Sequence, residues 1–291
     1  MEEGQRNFFE KVLHQAFQEK VEISSHRSLG GGCINQACRL ETNRGNLFLK
    51  WNSQNYLDMF EKESKGLKIL DKHFPQHIPD PILAGTTEQQ SFLLMEFLES
   101  GPMLPSYWET FGRSLASLHQ NVEKKYGLDH DNYIGRLEQF NSWKEDWIDF
   151  FIEMRLEKQL KLALDNHLVD KSFSNRFRKI YPFLSGILPI EPPSLLHGDL
   201  WSGNVVVGPD GNVGIIDPAV YYGSREIELA FTQLFGGFDR QFYESYQESY
   251  PLSPGYLERV PVYNLYPLMV HVNLFGASYL SGVEHTIAGY Q

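Results

Sequence analysis

The reading turns on LLHGDLWSGNVVV, residues 195–207. Two leucines lead in, His197 and Asp199 follow, Asn204 comes five places after the aspartate, and an apolar run closes the stretch. The flanks read as strands, so the loop between them is pinned at both ends. A pinned loop can hold two polar side chains in a fixed relation. An aspartate and an asparagine alone specify no chemistry, and the rest of the chain has to supply it.

Downstream, the turn GPDGN (208–212) leads into VGIIDPAV, which carries a second aspartate, Asp217, thirteen places after Asn204. Upstream, residues 5–20 place Phe8, Phe9, Val12, Leu13, Ala16 and Phe17 on one helical face. Residues 21–50 read as strand, glycine turn, strand, turn and strand, with NRGN (43–46) as a hairpin turn. Helical periodicity returns over 57–73, and two more strands follow, joined at Thr87–Gln90. This order, β-β-β-α-β-β, describes a small antiparallel sheet carrying a helix. After ESGPMLPS (99–106) the pattern is mostly helical, over Tyr107–Gln120, Ser142–His167, Lys171–Leu184, the IELAFTQLF segment and LYPLMVHVNLFGASYL (265–280). The expected architecture is α+β: a β-rich N-lobe over 1–98 and a mostly helical C-lobe over 99–291.

The 291 residues, 42% hydrophobic, suffice for a sizeable core. A formal net charge of -11 disfavours nucleic acid and anionic membranes as partners and mildly favours a cationic substrate. Two cysteines, Cys33 and Cys38, with no zinc-ligand spacing, fit a reducing compartment. The acidic N-terminus lacks an apolar signal core and no run approaches a membrane span, so a cytoplasmic location is expected.

Four features then fall in order. Gly30-Gly31-Gly32 forms a turn between two strands, Lys50 ends a strand, Glu63 lies in a helix, and Asp199, Asn204 and Asp217 follow. Transfer of a phosphoryl group from ATP needs such a set. Glycines let backbone N–H groups approach phosphate oxygens. A lysine held by a carboxylate neutralises the α- and β-phosphates. Magnesium takes oxygen ligands, which Asn204 and Asp217 supply, and Asp199 accepts the proton of the attacking hydroxyl. The Asp-x4-Asn spacing is that of a kinase catalytic loop. Each residue also has a plainer reading. The glycines suit an ordinary hairpin turn, the lysine a strand edge, and Glu61 competes with Glu63.

Together GGGCIN, FLKW, MFEKESKGL, LLMEFL, HGDLWSGN, IIDPAVYYGSREIELAF and the mid-chain YGLDHDNYIGRLEQFNSWKEDW resemble the fructosamine kinase (ketosamine-3-kinase) family over nearly the whole chain. The resemblance implies a protein-kinase-like two-lobe fold. It also implies ATP- and magnesium-dependent phosphorylation of the sugar 3-hydroxyl of ketosamines, free or protein-bound, followed by loss of the sugar and release of the amine. It assigns Lys50 and Glu63 to the phosphates and Glu96, Phe97 and Leu98 to an adenine-holding hinge. Asp199 becomes the base, and Asn204 and Asp217 the metal ligands. Small-molecule kinases of the aminoglycoside or choline type share the fold and spacing, and a silent nucleotide-binding relative is the further alternative.

Departures from protein kinases are informative. Gly198 stands where those enzymes carry the arginine that receives an activation-loop phosphate. Trp201 takes the place of a frequent lysine and offers a wall for a sugar. Nine residues, 218–226, are expected between Asp217 and the next helix. Cys33, inside the glycine turn, is either a redox-sensitive thiol or a small residue tolerated there. His197 reads as a structural histidine, with catalysis as its alternative; His119 as packing or capping; His271 as core; Arg225 and Glu226 as a structural ion pair.

Overall fold

The computed structural model describes residues 3–30 and 35–290. Gly31, Gly32 and Cys33 lie outside the described residues, and Gly30 within them. In chain order the elements begin with α1 (Glu3–Phe17), β1 (Ile23–Ser28), β2 (Gln36–Thr42), β3 (Gly45–Ser53), α2 (Leu57–Asp71), β4 (Pro81–Thr86) and β5 (Gln90–Glu96). Then come α3 (Tyr107–His119), β6 (Asn132–Ile134), β7 (Leu137–Gln139), α4 (Trp147–Phe150), α5 (Glu157–Asp165), α6 (Lys171–Arg178) and α7 (Leu184–Ile187). Short strands follow, β8 (Ser194–Leu196), β9 (Val205–Val207), β10 (Val213–Ile215) and β11 (Tyr221–Gly223). The chain closes with α8 (Arg225–Leu234), α9 (Arg240–Ser249), α10 (Tyr256–Tyr263), α11 (Leu265–Phe275) and α12 (Leu280–Ala288). Two compact units form: residues up to Tyr107 with Val205–Asp217, and Trp108–Asn204 with Pro218 onward.

In the first unit the strands make one antiparallel sheet, ordered β1-β2-β3-β5-β4. The β2–β3 turn is held by Thr42, whose hydroxyl accepts from Arg44 N at 3.0 Å and donates to the Gly45 carbonyl at 2.8 Å. Alternation sorts the faces. Cys38 and Leu40 of β2, Leu47, Leu49 and Trp51 of β3, and Phe92 and Leu94 of β5 form one core with Phe9, Val12 and Leu13 of α1. By the same alternation, Phe48 and Lys50 belong to the other face. The hairpin β9–β10 joins this unit through His77, whose N donates to Val213 O and whose O accepts from Ile215 N, both at 3.1 Å. The His77 ring meets Asp210 of the GPDGN turn at 2.7 Å.

In the second unit β8 pairs with β11, and β6 with β7. The two strands flanking the Asp199 loop therefore belong to different sheets, because β9 pairs with β10. The helix expected over 142–167 begins at Trp147, where the Asp146 carboxylate caps Ile148 N at 2.7 Å and Asp149 N at 3.1 Å. It passes through a π-helical stretch at 151–156 before α5. The wider turn gives Arg155 a buried, inward position, where its Nη1 donates to Phe140 O at 2.5 Å. The helix expected over 265–280 stops at Phe275, because Gly276 takes φ 98°. No helix among the described residues is long and apolar enough to cross a membrane.

Candidate active site

In the first unit Lys50 Nζ lies 2.5 Å from Glu63 Oε1 and 2.7 Å from Asp217 Oδ1. The lysine is 4% exposed, and strand alternation turns it away from the α1 core. Glu63 reaches it from α2, where Met59, Phe60, Leu67 and Leu70 make the buried stripe and Glu63 falls on the same side. Its rival Glu61 is exposed. Burial pulls the Lys50 pKa down, but the charges of Asp217 and Glu63 and their hydrogen bonds outweigh it and leave it raised. Asp217 has φ 55°, a left-handed conformation uncommon outside glycine.

Past β5, Glu96 N donates to Asp80 O at 2.9 Å and Phe97 N to Asn46 O at 3.3 Å. Arg39 lies over the Phe97 ring, 4.9 Å from its centroid, and pairs with Glu99 at 3.0 Å. The N–H groups of Glu96 and Phe97 are thus committed within the protein, and Leu98 carries the next N–H along the chain.

In the second unit Asn204 Nδ2 donates to Asp199 O at 2.8 Å and to Asp199 Oδ2 at 3.0 Å. The loop spacing therefore brings the two residues together. Gly198 has φ 85°, and a Cβ there would run into the Ala219 carbonyl, so the backbone itself excludes an arginine. A Cβ on Gly203 would strike the Trp201 ring, so glycine lets the indole fold over its own loop. Trp201 is 37% exposed and meets Phe235 edge-on at 6.1 Å, and Phe235 lies 4.7 Å from His271.

Sequence reasoning missed Glu228, which anchors the loop from α8. Its carboxylate accepts from His197 N at 3.1 Å, Gly198 N at 2.6 Å and His119 Nε2 at 2.9 Å. Burial pushes this carboxyl up, but the hydrogen bond and charge of His119, with His197 and the Gly198 amide, outweigh it and leave the pKa lowered. A carboxylate inside the apolar run of α8 was the available signal. His119, expected to pack or to cap a helix end, is fully buried, its other ring nitrogen 2.8 Å from Tyr246 Oη, and it also orients the Glu228 carboxylate. Buried His197 accepts from Asp199 N through Nδ1 at 3.3 Å. Arg225 and Glu226 do form structural ion pairs, but with other partners: Arg225 with Glu191 at 2.8 Å, Glu226 with Arg259 at 2.5 Å. The helix after Asp217 begins at Arg225, one residue before the expected end of the connection, and β11 occupies part of that segment.

The oxygen donors suit magnesium arriving with a nucleotide. Both Asn204 bonds to Asp199 use its nitrogen, so the amide oxygen takes no part in them. Asp217 gives one oxygen to Lys50 and its side chain is half exposed. Asp217 and Asn204, one in each unit, each carry an oxygen of the kind magnesium accepts.

The architecture is that of protein-kinase-like phosphotransferases. Choline kinase LicA from Streptococcus pneumoniae matches with a TM-score of 0.67 at 15% identity, covering 99% of this chain and all of that one, a likeness of fold. A crystal structure from Haemophilus somnus, solved as a candidate fructosamine-3-kinase, matches with a TM-score of 0.87 at 32% identity, covering 97% of this chain and 96% of that one. The "Probable ketoamine kinase" of Enterococcus faecium is 40% identical over 265 residues, 89% of this chain and 93% of that protein. The chloroplastic protein-ribulosamine 3-kinase of Arabidopsis thaliana is 36% identical over 278 residues, 93% and 83% of the respective chains. The fructosamine kinase family profile matches residues 6–290, and the chain belongs to that family of phosphotransferases.

Proposed function

We propose that this protein transfers the γ-phosphoryl group of ATP, with magnesium, to the sugar 3-hydroxyl of ketosamines, the ribulosamine and fructosamine adducts of amines. The phosphorylated adduct then falls apart and frees the amine. The observation that carries this reading is the buried Lys50 held between Glu63 and Asp217, a charged donor kept in place for phosphate oxygens.

Bound MgATP supplies the phosphoryl group and the cation. The chain's own residues do the rest. Lys50 meets the α- and β-phosphates while Glu63 holds its stem end. Asp217, through its carboxylate, and Asn204, through its amide oxygen, are the residues that would hold the magnesium. Asp199 keeps one oxygen on Asn204 and turns the other to the sugar hydroxyl, whose proton it accepts. Gly30 is assigned to the phosphates, as are Gly31 and Gly32, which lie outside the described residues. Glu96, Phe97 and Leu98 face the adenine, with Leu98 N–H as the donor because the two before it are committed. Trp201 forms the sugar wall. His271, its pKa lowered by burial against the opposing pull of its bond to Pro267 O, backs Phe235 behind that wall.

The test is ATP consumption on ribulosyl- and fructosyl-lysine beside aminoglycosides and choline. Turnover confined to the ketosamines and abolished in Asp199→Asn supports the reading. Turnover only on aminoglycosides or choline, or tight ATP binding with no turnover at all, refutes it. Cys38 is buried and its thiol is pushed up to about 12 by burial, so reversible inhibition by peroxide would report on Cys33.

A further inference from the structure

Directly after Asp217 the backbone is tied on one side to the catalytic loop and its flank. Ala219 N donates to His197 O at 2.8 Å, and Tyr221–Gly223 pair with Ser194–Leu196. From the other side come two buried amides of the β6–β7 hairpin. Gln139 Nε2 donates to Ala219 O at 2.9 Å, and Asn132 Nδ2 donates to Val220 O at 2.8 Å. They are 2% and 4% exposed.

These amides are the ends of two donor chains that run in one direction. Tyr266 Oη donates to Gln139 Oε1 at 2.7 Å, ahead of the bond to Ala219. Arg155 Nη2 donates to Asn141 Oδ1 at 2.8 Å, and Asn141 Nδ2 to Asn132 Oδ1 at 2.9 Å, ahead of the bond to Val220. A buried guanidinium thus heads the second chain, lying over the Tyr221 ring at 4.0 Å. Hydrogen bonds aligned this way polarise one another and strengthen the last link. The two carbonyls they end on lie two and three residues past Asp217, whose φ of 55° is a conformation that persists only where its surroundings impose it.

We propose that this amide cluster positions Asp217: Gln139 and Asn132 fix the peptides that follow it and so hold its strained backbone and the aim of its carboxylate. The inference rests on the reading of Asp217 as a metal ligand. It assigns a role to the β6–β7 hairpin and to the π-helical turn that carries Arg155. The segment after this aspartate is then a fixed strut.

The test titrates Mn2+ into protein saturated with a non-hydrolysable ATP analogue and follows bound metal by electron paramagnetic resonance. Four forms are compared: wild type, Asp217→Asn, Gln139→Met and Asn273→Leu. Asn273 is a buried amide bonded to Gln159 in the same unit, so its loss is a structural lesion of the same kind. Gln139→Met removes its bonds to Ala219, Asn132 and Tyr266 and is expected to weaken Mn2+ binding about tenfold. Asn273→Leu should lower the melting temperature and leave Mn2+ affinity alone. Unchanged Mn2+ affinity in Asp217→Asn refutes the metal-ligand reading itself. Weakened binding in Asp217→Asn with none in Gln139→Met, or equal weakening in Asn273→Leu, overturns the positioning role. Should Gln139→Met fail to fold, Asn132→Ser is judged by the same outcomes.

Discussion

Lys50 remains an ammonium in a place closed to water because two carboxylates answer it. Glu63 shows the other side of that arrangement. Burial first, opposed by Lys50 and reinforced by Asp217, pushes its carboxyl up to about 7 from the ordinary 4.5. The folded value lies above the unfolded one, so the stability linked to Glu63 is fully present below the ordinary value and is lost as pH rises through about 7. Glutamine copies the protonated form at every pH. The melting temperature of Glu63→Gln relative to wild type should therefore rise between about pH 5 and about pH 8. A difference that stays flat across the range would show that Glu63 does not titrate there. At this scale the sequence was informative: order and spacing offered Lys50 and Glu63 as candidates, the family resemblance paired them, and the exposed Glu61 fell away once α2 was placed. Gly198 was noticed only as a missing arginine. The reason, a carbonyl from residue 219 occupying the space of a side chain, is a contact between distant residues that no local pattern carries.

Among the elements, α8 does more than its apolar stripe announces. It brings Glu228 under the loop that carries Asp199, where one carboxylate receives two consecutive backbone N–H groups and a histidine. Replacing it with glutamine keeps the shape but removes the charge that draws those donors together, and turns an amide donor toward at least one of them. Glu228→Gln should lower kcat by about tenfold with little change in ATP affinity, since it acts on the loop that holds Asp199. Steady-state kinetics beside nucleotide-binding calorimetry would check this, and an equal loss in both would argue for general unfolding. Elements also mark where sequence reading stops. The sheet strands alternate cleanly, because one face lies on α1. The strands β6 and β7 are three residues each and point polar amides inward, so they show no alternation to read. A π-helical turn inserts a residue without changing composition, so the segment at 142–167 looked like one plain helix.

For the molecule as a whole, the net charge of -11 bears on which substrates arrive. A ketosamine nitrogen is a secondary amine, cationic at neutral pH, and lysine-rich carriers add further positive charge. Long-range attraction should favour them and should weaken as salt shortens its reach. The KM for a glycated lysine-rich peptide should rise with ionic strength more steeply than that for a small neutral-bodied ketosamine. Parallel initial-rate series at low and high salt would decide, and identical slopes would remove long-range charge from the account. The α+β class was legible because the hydrophobic period changes from two to nearly four along the chain. The grouping of 205–217 with the N-terminal sheet was not, since it depends on His77 clasping β10 across more than a hundred residues.

That clasp has a consequence for how the protein is made. The N-terminal sheet leaves the ribosome early, yet the hairpin that completes its unit is translated only after Trp108–Asn204. At elongation rates of roughly 5–20 residues per second, the nascent sheet waits about 6–20 s for the separate two-stranded hairpin that completes its unit. During that interval His77 lacks the backbone partners that β10 supplies, and synthesis speed through the middle of the message becomes part of the folding problem.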